Sequence, residues 1–372
     1  MNTLFPASVP TPELRLALVP GIGPRLRQKL LSHFGSSQAV LRASQEELLR
    51  VDSIGVQTSR AIVAARGDRL AEETVALCQR RAIQIVLAEN LNYPRLLREI
   101  PDPPCVLYLH GRWDPRDNLA IAIVGTRQLT GYGRRQAHRL AGELATAGMT
   151  IVSGLARGID AAAHRGALEA KGRTIAVLGS GLLNIYPPEH RTLASEIRES
   201  GALISELPPY HKPSRGMFPQ RNRIITGLCL GVVVIEAAEQ SGALISARHG
   251  IEQGREVFAM PGPVDHRTSR GCHRLLREGA RLVESASDVL DELGPLVAEV
   301  PQSDGRVIRH PAELRLNQQE QAVLNAIGTS PTYLDTIVTQ SQLPAHRVLS
   351  TIGALEIRQL VERLSGQRVI RR

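Results

Sequence analysis

The pattern of apolar and polar positions divides the chain into three stretches. From Gln84 to Gly294, short apolar runs alternate with amphipathic helical segments. The runs are IQIVLA, PPCVLYL, LAIAIVG, TIVSG, RTIAVLGSG, ALISE, GVVVIEA, EVFAMPG and ARLVES. Short runs rich in Ile and Val, separated by helix-length segments, predict a mostly parallel sheet buried by helices on both faces. Ahead of it, residues 1–75 are helical. Leu18 to Gly35, LVPGIGPRLRQKLLSHFG, reads as two helical stretches joined at Gly21-Ile22-Gly23. LLRVDSIGVQTSRAIVAAR, Leu48 to Arg66, repeats the pattern more weakly, with Ser53 where the first glycine would sit. Residues 295–315 read as a linker containing Pro, Ser and Gly. Residues 316–372 show three helical patterns, a turn at Leu343-Pro344, and two short strands around Ser365-Gly366.

In an open sheet of this kind, ligands bind beyond the carboxyl ends of the strands. The residues that follow each run therefore carry the chemistry. AIAIVGTRQLTGYG predicts a buried strand, a tight turn at Gly125-Thr126-Arg127 and a helix N-terminus, a phosphate-binding geometry. A hydroxyl, backbone N–H groups and a guanidinium can share one phosphate there. The alternative is that Arg127 pairs with an acid such as Glu236. The next strand ends at Ser153-Gly154, followed by Arg157 and Gly158; Gly179 and Gly181 follow the third. FPQRNRIITG supplies Phe218, Arg221, Asn222 and Arg223. Two arginines two apart on a helix point to roughly opposite sides, so one can face a ligand while the other braces the fold. Phe218 is either a stacking ring or a core residue. Ser241 and Gly242 read as the N-cap and first turn of a helix. Asp160 and His164, four apart, are expected to form a structural hydrogen bond. No nucleophile or metal cluster accompanies them to make an acid–base pair. Glu236, ending its strand, is expected to be a structural partner.

Composition narrows the choice of ligand. The formal net charge is +9, and lysine occurs only at Lys29, Lys171 and Lys212, so nearly all of the 45 basic residues are arginine. Arginine suits bidentate contact with phosphate. Aromatic residues make up 3% of the chain, too few for a site built on base stacking. Cys78, Cys105, Cys229 and Cys272 form no C-x-x-C pair, which argues against a zinc site or a disulfide scaffold. MNTLFPASVPTPE has no basic start or apolar block, and no apolar segment is of bilayer length, so a soluble, cytoplasmic protein is expected. A dinucleotide site needs G-x-G-x-x-G after its first strand and an acid after its second. Here Gly131 and Gly133 lie well past the strand, Gln136 takes the third position, and the second strand ends in Ser153-Gly154. These departures argue against NAD, and no cofactor is expected.

Specific resemblances follow from these segments. The N-terminal pair resembles tandem helix-hairpin-helix motifs, in which the glycine turn offers its N–H groups to a DNA phosphate. That implies a possible contact at Gly21, Gly23 and Arg25, against the alternative of a packing module. The C-terminal stretch has the pattern of a winged helix, a fold that binds duplex DNA in many proteins and other proteins in others. In the central section AIVGTR, SGLARGIDAAAH, TIAVLGSGL, YP, FPQRNRIITGL, VVVIEA, SGALISA and GREVFAMPG keep the order and rough spacing of the DprA/Smf family of DNA-processing proteins. Asn184 stands where an acid often follows "GL", and Pro188 where a basic residue can follow "YP". The resemblance implies an α/β, Rossmann-like, mostly parallel sheet domain at 84–294, between a helix-hairpin-helix (SAM-like) domain and a winged helix. It further implies single-stranded DNA binding without marked sequence preference and dimers formed through the sheet domain. Recruitment of the RecA recombinase, protection of incoming DNA in natural transformation, and no catalytic activity complete the family picture. Two other classes compete. Nucleotide phosphoribohydrolases share the sheet type, but this chain has EAAEQSGALISA where they carry PGGxGTxxE. A winged-helix transcription regulator would read bases through Ala345 to Ile357, which offers His346 and Arg347, with Arg358 just beyond.

Overall fold

The computed structural model describes residues 11–294, 300–301 and 307–372. Residues 1–10, which open the segment read for a leader, and 295–299 and 302–306 of the expected linker lie outside the described residues. The chain forms two compact units, one through Arg281 and one from Leu282.

The first unit opens with six helices, α1 (Pro12–Ala17), α2 (Pro24–Phe34), α3 (Ser37–Arg42), α4 (Gln45–Leu49), α5 (Val56–Ala64) and α6 (Leu70–Arg80). Leu16, Leu30, Val40, Leu48 and Ile62 form their shared core. Both sequence copies fold into the same hairpin. Ile22 N–H donates to the Val19 carbonyl (3.3 Å) and Ile54 N–H to the Val51 carbonyl (3.1 Å). Gly21 has φ 85°, and Ser53 takes the same left-handed conformation at φ 71°. Lys29 donates to Asp52 (2.5 Å) and Ser53 (3.0 Å), joining α2 to the second hairpin.

All nine apolar runs become strands: β1 (Ile83–Leu87), β2 (Val106–Gly111), β3 (Ala120–Gly125), β4 (Thr150–Ser153), β5 (Thr174–Val177), β6 (Ala202–Ser205), β7 (Gly231–Ile235), β8 (Glu256–Ala259) and β9 (Arg281–Leu282). Their order is β1-β2-β6-β5-β4-β3-β7-β8-β9. The strands from β6 through β8 in this order are parallel; β2 pairs antiparallel with both β1 and β6. The helices are α7 (Arg95–Arg98), α8 (Gly131–Ala147), α9 (Ile159–Glu169), α10 (Arg191–Ser200), α11 (Met217–Gly227), α12 (Gly242–Glu252) and α13 (Arg270–Arg277). Alternation along the strands feeds two cores: Ile175 and Val177 join one cluster, and Ala176 the other.

In the second unit, α14 (Ala286–Glu292) precedes two-residue strands β10 (Val300–Pro301) and β11 (Val307–Ile308). Then come α15 (Gln318–Asn325), β12 (Thr332–Tyr333), α16 (Leu334–Ser341), α17 (Ala345–Ile357), β13 (Val361–Leu364) and β14 (Arg368–Arg371). The three-stranded sheet has the order β12-β14-β13. Leu343-Pro344 makes the turn between α16 and α17, and Gly366 (φ 76°) the tip of the wing. Pro311–Arg315, inside the stretch read as linker, folds as a 3₁₀ turn that buries Ala312 in this core. Its Glu313 is buried and pairs with Arg371 (2.6 Å).

Two buried polar devices hold the sheet. At the edge opposite the strand ends of interest, Asp117 is fully buried and accepts from Thr150 Oγ1 (2.8 Å) and twice from Arg173 (2.8 Å each). Arg173 also donates to the Ser200 (3.0 Å) and Arg112 (2.9 Å) carbonyls, tying the starts of β3, β4 and β5 to the end of α10. Removing one member of such a pair leaves the other charge buried and unpaired. Asp117→Ala is therefore expected to cost about 3 kcal/mol in a urea titration. A loss under about 1 kcal/mol would rank it with exposed pairs.

The second device is His164 on α9. Thr174 Oγ1 donates to the Ile151 carbonyl (2.8 Å), so it accepts from His164 Nδ1–H (2.7 Å). The other ring nitrogen is buried and unbonded, and burial pushes the imidazole down to about 3. The folded state thus refuses a proton that the unfolded chain takes near pH 6.5. Stability contributed by His164 is complete above that pH and falls as pH drops toward 3. The expected loss is about 2 kcal/mol between pH 6.5 and 5. His164→Gln should flatten this part of the pH–stability curve; an unchanged curve would contradict the assignment.

Candidate nucleic-acid interface

Strand β3 lies between β4 and β7, where the chain reverses direction across the sheet. From β3 the chain winds through β4, β5 and β6 to one side. It then crosses back to β7 on the other. The crevice at such a reversal, outside the carboxyl ends of the strands, is where open α/β sheets hold ligands. A cleft of about 720 Å³ lies there, lined by Gly125, Thr126, Arg127, Phe218, Asn222, Ser241 and Gly242, with Arg221 and Asp160 among its walls.

Glu236 organises the entry. It follows β7 with φ 52°, an uncommon conformation for a residue with a side chain. Its backbone carbonyl accepts from Thr126 N–H (2.7 Å). Its buried carboxylate accepts from Thr130 N–H (2.9 Å) and from the Thr130 hydroxyl. Thr130 is in turn the N-cap of α8, accepting from Gly133 N–H (3.2 Å). The carboxylate occupies the space a Cβ on Gly133 would need. That explains the second glycine of TGYG. Glu236 is thus the expected structural partner, but its partners are Thr130 and, at 3.5 Å, the Thr268 hydroxyl, and no arginine.

Arg127 is consequently free of that acid. It is exposed, and among the described residues no carboxylate pairs with it. Its guanidinium carbon lies 5.6 Å from the Phe218 ring centroid, a cation–π distance. Phe218 also meets Tyr186, with centroids 5.5 Å apart and planes at 44°. Gly179 gives Phe218 its place, since a Cβ there would strike the ring. The Thr126 N–H is spent on Glu236, and its hydroxyl accepts from Gln128 N–H (3.2 Å). The turn therefore offers a hydroxyl and a guanidinium, and less open backbone than its sequence promises. Behind it, Gly158 (φ 85°) lets its chain pass so close to Thr126 and Arg127 that a Cβ would overlap their backbone.

The two arginines of α11 part ways. Arg221 is buried beneath the cleft and donates to the carbonyls of Gly154 (2.7 Å) and Val177. Burial pushes its guanidinium down to about 10; Asp160 opposes that shift and Arg127 adds to it. Arg223 points the other way and pairs with Glu206 (2.6 Å) and Asp102 (3.4 Å), so it does not line the cleft. Asn222 reaches the Gly242 carbonyl (3.3 Å). Ser241 caps α12, accepting from Ala243 N–H (3.3 Å), and Gly242 beside it faces open space.

Other expected site residues support the cleft from outside it. Ser153 is buried and donates to the Ile123 carbonyl (2.6 Å). Gly154 packs against the Arg221 guanidinium, and Gly181 against the Pro208 and Pro209 carbonyls. Arg157 pairs with Glu189 (2.5 Å) beside a small recess it shares with Tyr186 and Arg127. Asp160 and His164 do not join each other. Asp160 accepts from Gly154 N–H (3.1 Å) and Ala156 N–H (3.2 Å), while His164 turns to Thr174. The backbone donors of the β4–α9 turn lie nearer the carboxylate than the next turn of helix does. Gly21, Gly23 and Arg25 stay apart in the helical domain, where Arg25 lines a separate groove with Lys29 and Arg50. Among the cleft residues that sequence reasoning did not select are Tyr186 and Arg215. The "YP" block marked Tyr186; nothing in the sequence marks Arg215.

Family models match three segments: DNA recombination-mediator protein A over residues 84–294, the DprA winged helix domain over 306–367, and a SAM-like helix-hairpin-helix tandem over 13–68. Protein Smf of Synechocystis is 36% identical over 95% of this chain and 96% of its own length. The X-ray structure of DprA from Streptococcus pneumoniae superposes with a TM-score of 0.67 at 33% identity, covering 76% of this chain and 98% of that one. A structure of DprA from Helicobacter pylori, described for its single-stranded DNA binding mode, gives 0.51 at 31% identity, covering 56% and 93%. With the central domain, both flanking domains and full-length relatives in agreement, this chain belongs to the DprA/Smf family of DNA-processing proteins.

Proposed function

We propose that the chain binds single-stranded DNA along the switch-point cleft and acts as a recombination mediator on DNA taken up in natural transformation. The observation that carries this reading is Arg127, unpaired at the mouth of the cleft and held over the Phe218 ring. A guanidinium, the hydroxyls of Thr126 and Ser241 and the Asn222 amide suit a sugar–phosphate backbone. They offer little to distinguish one base from another. The Helicobacter relative, described for its single-stranded DNA binding mode, supports the same ligand. In this reading Arg127, Thr126, Asn222, Ser241 and Gly242 touch the strand. Arg221, Gly154, Ser153, Gly179 and Gly181 hold the cleft's shape, and Arg223 braces α11.

A homodimer through the sheet domain and recruitment of a RecA-type recombinase belong to this proposal. The family description as a recombination mediator supports the second. The setting is the cytoplasm, which suits four free cysteines and the lack, among the described residues, of any helix long and apolar enough to cross a membrane.

Arg127→Ala should weaken single-strand binding about tenfold (about 1.4 kcal/mol) with an unchanged melting temperature. Each arginine–phosphate contact steepens the fall of log K against log salt by about 0.7 for a single strand. Removing one should shallow that slope by about 0.7. Titrating oligo-dT and a mixed strand at several salt concentrations reads both quantities. Equal affinity of mutant and wild type, or a near-zero slope, would move the binding elsewhere. For the assembly, light scattering should give the mass of two chains. RecA filament formation on protein-coated strands should then start faster with wild type than with Arg127→Ala; equal rates would separate recombinase loading from the cleft.

A further inference from the structure

We propose that the bound strand does not end at the cleft but crosses Arg127 into a second groove between α8 and α9, where Arg134 and Arg165 hold its next phosphates. The proposal rests on the single-strand reading of the cleft and extends its path.

The groove, about 520 Å³, shares Arg127 and Gln128 with the cleft, so the two are continuous across the GTR turn. Arg134 from α8 and Arg165 from α9 form its walls, and Ala161 and Ala162 contribute to its floor. No acidic residue lines it. Both arginines are exposed, and among the described residues neither pairs with a carboxylate. The acids farther along the two helices are engaged elsewhere: Glu143 with Arg139 (2.8 Å) and Glu169 with His138 (2.9 Å). The nearest expected acid, Glu236, is turned inward onto Thr130.

The walls are fixed in place. Gly166 packs directly on the backbone of His138, leaving no space for a Cβ, and Gly142 approaches Gly166 as well. Arg165 adjoins this contact in sequence, and Arg134 stands one turn before it on α8. Both helices also begin at this end, with Thr130 capping α8 and Gly158 starting α9. Their positive dipole ends add to the guanidinium charge. The lining carries no aromatic ring. Small apolar floor residues between arginines suit a phosphodiester passing through; base stacking has no platform there.

The test uses the full chain with Arg134→Gln and Arg165→Gln together, exposed positions where the fold should be kept, as a thermal melt will verify. Oligo-dT of about 5 nucleotides fills the cleft alone, and oligo-dT of about 20 nucleotides reaches the groove. The double variant should bind the short strand as wild type does. It should lose affinity for the long strand, with a salt slope shallower by about 1.4, two contacts at about 0.7 each. Each single variant should give half that change in slope. Unchanged long-strand binding overturns the groove while leaving the cleft intact. Equal loss for both lengths overturns it too, by making the arginines part of one general field. Loss confined to duplex DNA assigns the groove a different ligand and overturns the proposal. Failure of wild type to bind any single strand removes the cleft reading itself, and the groove with it.

Discussion

The carboxylate of Glu236 is the constraint on which the site depends. It closes the end of β7 onto the start of α8 through Thr130, and its own carbonyl holds Thr126. Strand β3 and strand β7, neighbours at the reversal point, are thereby locked at their carboxyl ends. The turn that follows β3 is held in one shape. A buried carboxylate needs donors to be tolerated, and Thr130 supplies both its N–H and its hydroxyl. Since that demand is met from α8, no arginine is drawn in to meet it, and Arg127 stays at the surface. Glu236 with φ 52° and Leu155 with φ 58° carry uncommon backbone after β7 and β4, beside the same cleft. Such conformations persist only where the surroundings over-determine them, and here they are pinned by the hydrogen bonds of the turn.

Beneath the cleft lies a layer of buried charge that is structural and still shapes the ligand's environment. Arg221 ties the ends of β4 and β5 through carbonyl oxygens, and Asp160 gathers the N–H groups of the following turn. Burial raises the Asp160 carboxyl and lowers the Arg221 guanidinium, and the charge of each opposes the shift of the other. The cleft floor is therefore polar but already satisfied, and the free guanidinium of Arg127 lies at its rim.

A net charge of +9 is a poor map of where an anion binds. Much of the arginine content is spent on folding. In the C-terminal unit, Arg358 pairs with Glu320, Arg363 with Glu356, Arg371 with Glu313 and Arg372 with Glu362. On α17 the exposed residues include Leu349 and Ile357 alongside His346 and Arg347. In the helical domain, Lys29 leans on Asp52 of the second hairpin, placing an acid beside the glycine turns. Around the GTR turn the balance is different. Arg127, Arg134 and Arg165 have no carboxylate partner among the described residues. Pairing, more than the count of basic residues, separates a structural arginine from one available to phosphate.

The sequence by itself determined the architecture and the strand ends that the cleft gathers. Strand-length apolar runs with helix-length spacers leave a parallel sheet as the way to bury both faces, and all nine runs became strands. Because ligands collect at strand ends in such sheets, Gly125, Thr126, Arg127, Phe218, Asn222, Ser241 and Gly242 could be named from local pattern, and the cleft gathers them. Tertiary structure alone decided how each residue is used. Helical spacing puts Arg221 and Arg223 on opposite sides, but only the docking of α11 between β5 and Glu206 says which side is the cleft. The Thr126 N–H looked open because its acceptor, the Glu236 carbonyl, is over a hundred residues away in sequence. Likewise Arg134 and Arg165 belong to different helices, and nothing in either segment announces that a glycine contact brings them to one groove. Periodicity and turn chemistry act over a few residues and are legible along the chain. Hydrogen-bond satisfaction and charge pairing act across it, and are settled only when distant segments meet.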